Sequence, residues 1–201
     1  MTRSFMLLKF KHNNTMKKAT IIKSVLAAFA FFASAALVSC EKEVNTTEPE
    51  PDVKNPAAVI FGYYNEETQD MLEYCNIVME YTDVNGTKVD TITATEWTKI
   101  FTTQLPCTYT FKKTYTLKAD KNMASAEKIE YKRNSYGYVY KLLSANGDSI
   151  GDAKEISHLN KPNFGTASKV AESISTGYFN TVHEFVYDSD GKLKLDGKES
   201  E

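Results

Sequence analysis

The chain is poor in the side chains from which catalytic and metal centres are built. Its 201 residues include only three histidines, three cysteines and one tryptophan. Two of the histidines, His158 and His183, lie beyond residue 40. Neither has a second His or Cys at ligand spacing, so no metal site is expected. A Gly-rich phosphate loop, a nucleophilic serine elbow and a His-Glu-x-x-His pair are all missing, which removes the sequence grounds for those chemistries. No catalytic residue and no cofactor is implied.

Acid is missing from the first 40 residues, which carry Arg3, Lys9, Lys11, Lys17, Lys18 and Lys23. The remaining residues hold all 26 acids against 18 of the 24 basic residues, a charge of about −8, although the whole chain stands at −2. So acidic a surface repels phosphate backbones, which argues against nucleic acid as a partner. Beyond residue 40 no apolar run approaches the ~20 residues that span a bilayer. Hydrophobic residues make up 42% of the chain, enough for one ordinary core once a leader is removed.

What the front end does contain is an ordered signal. Lys17, Lys18 and Lys23 precede the uncharged stretch Val25–Val38, a basic n-region and an h-region of signal-peptide length. Met16, directly before Lys17, reads as the true start. The stretch closes on Leu37-Val38-Ser39-Cys40 rather than on Ala-x-Ala. Those four residues resemble the lipobox cut by lipoprotein signal peptidase. The resemblance implies cleavage before Cys40 and lipidation of its sulfur, with the membrane as a partner through that lipid. One acyl chain holds a membrane marginally, whereas two or more anchor it stably. Glu41-Lys42-Glu43 is similar in part to the surface-export signal of Bacteroidota lipoproteins, which implies the outer membrane, at its cell-surface or periplasmic face. The rest of the segment to Pro56 is rich in Pro, Glu, Thr and Asn and reads as a disordered tether, with a reach of order 20–25 Å. The expected divisions are leader 1–39, lipidated cysteine and tether 40–56, folded domain 57–197 and tail 198–201.

Within the domain the period is two. From Cys107 to Ala119 the odd positions are apolar or aromatic, with Lys113 the exception, and the even ones, continued to Asp120, are Thr, Lys and Asp. Such alternation marks a strand with one face on a core. Cys75–Tyr81 repeats it. Further strands are expected at Val59–Tyr64, Thr87–Thr95, Trp97–Thr103, Lys128–Arg133, Tyr138–Leu143, Ser149–Ile156, Val182–Tyr187 and Lys192–Leu195. Asn85-Gly86, Asn146-Gly147 and Asp190-Gly191 predict tight hairpins. Thr166–Ser175 reads as the one short helix, and His158–Gly165 as loop. The fold class is all-β, an antiparallel sandwich of the immunoglobulin-like kind, with a closed barrel as the alternative. Residues 80–120 are similar to small Bacteroidota lipoproteins with sandwich domains of unassigned role, a resemblance that brings no catalytic motif.

Several constellations invite a chemical reading. Cys75 and Cys107, with Trp97 between them, are similar to the Cys–Trp–Cys pattern of immunoglobulin domains, though 32 residues is short for that bridge. An oxidising compartment permits a Cys75–Cys107 disulfide, and two buried free thiols are the favoured reading. His183 shares strand parity with Phe185 and Tyr187 and faces their side. Asp188-Ser189-Asp190-Gly191 lacks the third Asp/Asn and the closing Glu of a calcium loop and reads as a turn. Glu66, Glu67, Asp70 and Glu73 read as a solvated loop and strand edge. Tyr136, Tyr138 and Tyr140 project from one face of a strand. They are the candidate ligand-binding row if exposed, and core or cross-strand packing if not. The expected function is a non-catalytic binding or interaction module, its ligand a glycan or another envelope protein. The alternatives are a purely structural envelope lipoprotein and a carboxylate-based hydrolase.

Overall fold

The computed structural model describes residues 55–199. The expectations for the leader, for Cys40 and for most of the tether lie outside the described residues. In chain order the elements are β1 (Pro56–Glu66), α1 (Gln69–Tyr74), β2 (Cys75–Asp83), β3 (Gly86–Ile92), β4 (Glu96–Gln104) and β5 (Cys107–Leu117). A 3-10 turn (Met123–Ser125), β6 (Lys128–Tyr131), β7 (Tyr136–Ser144), β8 (Ser149–His158) and β9 (Asn163–Thr166) follow. The chain then runs through α2 (Ala167–Ser175), β10 (Thr181–Tyr187), β11 (Leu193–Leu195) and β12 (Lys198–Glu199).

These strands make an all-β antiparallel sandwich. One sheet has the order β4-β1-β7-β8, the other β12-β11-β10-β5-β2-β3, and β6 pairs with β9 in a separate ribbon. Both large sheets keep open edges, so the barrel does not form. Alternation decides which side chains meet. Phe61 and Tyr63 of β1 and Tyr138 of β7 face Tyr109 and Phe111 of β5 and Phe185 of β10. Phe61 stacks on Tyr109 with centroids 4.7 Å apart, and Tyr63 stacks on Phe111 at 4.0 Å. The interlayer is therefore aromatic, with offset stacks and edge contacts that add to simple area burial.

The outward face of β1 is closed as well, since Ile60 and Tyr64 are buried. Tyr64 lies opposite Gly137 in register, and its hydroxyl donates to Glu155 Oε1 at 3.2 Å. A Cβ on residue 137 would sit 2.2 Å from the Tyr64 ring. Gly137→Ala is therefore expected to swing that ring off the sheet and cost about 1–3 kcal/mol, read as a lower urea midpoint at unchanged slope.

The three Gly-containing turns close hairpins where expected, joining β2 to β3, β7 to β8 and β10 to β11. In the last, Asp188 Oδ1 accepts the N–H groups of Asp190 and Lys192, so this carboxylate oxygen serves the turn itself.

The structure corrects several expectations. A second helix, α1, appears after β1. It is capped by Thr68, whose hydroxyl accepts from Met71 N, and it buries Met71. Its six residues are too short to show a 3.6-residue period. The stretch read as loop from His158 to Gly165 contains the start of β9, and the expected tail contains β12. Glu66 and Glu67 are buried rather than solvated: Glu66 pairs with Lys132, and Glu67 with Lys113 inside the sandwich. For the cysteines the favoured reading holds: Cys75 and Cys107 are free, buried thiols with no disulfide between them. Cys75 lies opposite Leu117, ten residues along β5 from Cys107, about 33 Å at strand rise, whereas a disulfide holds its Cα atoms within about 7 Å. Parity placed both cysteines on the inner face correctly but says nothing about position along the strand. Burial pushes the Cys75 thiol up to about 12 and raises that of Cys107, so both are inert.

Candidate functional site

Tyr136, Tyr138 and Tyr140 do share one face, but that face is the interlayer. Their exposures are 6%, 2% and 8%. Tyr138 packs edge-on to Phe185 at 4.9 Å, and Tyr140 on Tyr187 at 5.6 Å. Burial pushes the Tyr138 hydroxyl up to about 12. The row is core and offers no surface to a ligand.

An open cleft of about 580 Å³ lies where three loops meet. Arg133 and Asn134 come from the segment after β6, Asn160 and Lys161 from the β8–β9 connection with Asn163 at the start of β9, and Tyr178 and Asn180 from the α2–β10 connection with Thr181 at the start of β10. Side-chain amides tie these loops together. Asn160 Nδ2 donates to the carbonyls of Arg133 (2.8 Å) and Asn134 (3.2 Å), and Asn160 N donates to Ser135 Oγ. Asn180 Oδ1 accepts from Tyr115 N at 3.0 Å, fixing that loop to β5. Gly177, at φ +76, ends α2 with Tyr178 N donating to Ser173 O and Gly177 N to Ile174 O. A side chain with a Cβ enters that backbone region only with strain.

This helix end presents Tyr178, which is 52% exposed. The Arg133 guanidinium carbon stands 4.0 Å from its ring centroid. The ring is held from behind by Phe179, buried and edge-on at 5.8 Å, which in turn packs on Tyr131. Stacking orients the planar guanidinium and leaves its N–H edge for a ligand. Two cations, four asparagines, a threonine and a tyrosine line the cleft, with no carboxylate among them. In an acidic domain this is a local basic site.

His183 braces the cleft from beneath. Its Nε2 lies 2.7 Å from Asn134 Oδ1, its Nδ1 lies 3.2 Å from Asp196 Oδ2, and its ring stacks on Tyr136 at 4.0 Å. Asn134 and Asp196, at φ +49 and +51, are the two non-glycine residues with left-handed backbone among the described residues, and both hold this ring. Asp196 Oδ1 also accepts from Glu184 N. Burial holds the imidazole below its usual range. The Asp196 carboxylate opposes that shift, while Lys113 and His158 add to it. When the ring is protonated, Nε2–H donates to Asn134 Oδ1 and Nδ1–H to Asp196 Oδ2. Because the folded state binds this proton less readily than the unfolded one, stability falls as pH drops through about 6.5 and below. Unfolding midpoints between pH 5 and 7.5 should show that slope, and His183→Gln should flatten it.

None of the cleft residues was singled out by its sequence. Asn160-Lys161-Pro162-Asn163 and Tyr178-Phe179-Asn180 are legible only as polar loops, and three loops meeting is a tertiary fact. Among the described residues no three His, Cys, Asp or Glu side chains are gathered as metal ligands. Compared with protein-family models, curated proteins and solved structures, the chain matches none.

Proposed function

We propose that the chain is a lipid-anchored, non-catalytic binding module of the outer membrane or cell surface whose cleft takes an acidic glycan. The anchor rests on the Leu37–Cys40 lipobox. The ligand class rests on one observation, the Arg133–Tyr178 stack in an asparagine-lined cleft without acids. A guanidinium fork suits a sugar carboxylate or sulfate, amides suit hydroxyls, and an aromatic rim suits the apolar face of a pyranose. A cleft without carboxylates lacks the acid pair that a carboxylate-based hydrolase needs.

Two experiments test this. Cys40→Ser should move the protein from the membrane fraction to the soluble one. On an array of neutral and acidic glycans, the mature chain should mark uronic-acid or sulfated oligosaccharides. Arg133→Ala should weaken that binding by roughly ten- to a hundredfold, the value of one charge-assisted hydrogen bond. An array on which only neutral glycans bind, or none, sinks the acidic-sugar assignment.

A second reading has its own observation. The ten-residue strand β8 is an open edge of its sheet, and such an edge accepts a strand from a protein partner. Arg133→Ala would leave that interaction untouched.

A further inference from the structure

Lys113 is the one charged residue on the inward face of β5, and it is 2% exposed. It sits between Phe111 and Tyr115 on that face and reaches across the interlayer to the end of β1. Its Nζ lies 2.7 Å from Asn65 Oδ1 and 2.7 Å from Glu67 Oε1. The same Glu67 oxygen accepts from Asn65 Nδ2 at 2.9 Å and from the Tyr115 hydroxyl at 2.6 Å. Glu67 Oε2 is buried without a hydrogen-bond partner. A primary amine, a carboxamide and a carboxylate are thus in mutual contact in a site shielded from water, and the carboxylate touches both nitrogens.

A salt bridge alone accounts for Lys113 and Glu67. It does not account for three donors crowding one carboxylate oxygen while the other has none, nor for the amide set against the amine. We propose that Lys113 and Asn65 join in an intramolecular isopeptide bond, with Glu67 carrying the protons, so that the two sheets become covalently tied. Glu67 first takes a proton from Nζ, which replaces two opposite charges by two neutral groups. The freed Nζ lone pair adds to Asn65 Cγ, and the carbonyl π pair moves to Oδ1. Glu67 hands its proton to Nδ2, the tetrahedral centre collapses, and the Cγ–Nδ2 bond breaks to release ammonia. The added Nζ loses its surplus proton to Glu67, and that proton leaves with the ammonia as ammonium. One C–N bond forms, one breaks, nothing is oxidised, and the carboxylate is regenerated. Held contact between amine and amide supplies the proximity that such an exchange lacks in solution, and a carboxyl in reach of both nitrogens supplies general acid–base catalysis.

The test is a peptide map of the full-length protein, digested with trypsin after denaturation. A bonded Lys113 is not cleaved after, so the map should contain residues 55–88 joined to residues 113–118. The joined species should be lighter than the two peptides together by about 17 Da, one ammonia. Separate peptides, with cleavage after Lys113 and an intact Asn65 amide, overturn the bond. In Glu67→Gln with its near-UV spectrum retained, the two peptides should appear apart. A joined species in that variant removes Glu67 from the chemistry. The wild-type map decides the bond whether or not the variant folds, and neither result depends on the ligand of the cleft.

Discussion

Phe61→Ala is expected to lower the free energy of unfolding by about 3–5 kcal/mol, the range for emptying a fully buried aromatic site. Phe61 is completely enclosed. Its ring stacks on Tyr109, lies 4.9 Å from Phe185, and touches Phe111, Tyr138 and Tyr187 at 6.0 to 6.2 Å. Those neighbours come from β5, β7 and β10, in both sheets. Truncation leaves a void bounded by rigid rings on different strands, which cannot collapse into it without shifting a sheet. The comparison residue is Phe164, 67% exposed on β9, where alanine should change stability by less than about 0.5 kcal/mol. Urea titrations of the two variants would settle it, and equal midpoints would show that the interlayer is not centred on Phe61.

Lys113→Ala should cost at least as much. It strands the Glu67 carboxylate in the interlayer without the Lys113 N–H that donates to it, and removing one partner of a buried charge typically costs about 3–5 kcal/mol. The double change Lys113→Met with Glu67→Gln also removes the carboxylate charge and should recover most of the electrostatic part. The residue of the loss then reports on the covalent tie. Residues 65 and 113 are 48 apart, and a cross-link closing such a loop contributes about 4 kcal/mol in the chain-entropy view. A double variant as stable as the wild type would mean that no tie exists.

The architecture was legible because it depends on period and punctuation. The Cys107–Ala119 alternation and the Asn-Gly and Asp-Gly turns specify strand, face and hairpin locally, and a sandwich follows. Lys113 stood out in the same pattern as its single break, and that break marks the buried network. Its partners did not stand out: Asn65 and Glu67 look like ordinary strand-end polar residues until β1 is laid over β5. The tyrosine row shows the opposite limit. Alternation put Tyr136, Tyr138 and Tyr140 on one face, but whether that face meets water or the other sheet depends on pairing with distant strands. The cleft was illegible for the same reason, since Arg133 and Tyr178 are 45 positions apart in the sequence and meet only when α2 ends against the segment after β6.

Residues 1–55 join the domain through β1, which lies between β4 and β7 and is paired along nearly its whole length with each. Tension applied to the preceding segment would therefore run along the strand axis and load two hydrogen-bond ladders in shear, all rungs together. A strand at the border of a sheet would unzip rung by rung. Where the chain enters the fold thus makes it resistant to a pull on the segment that precedes β1.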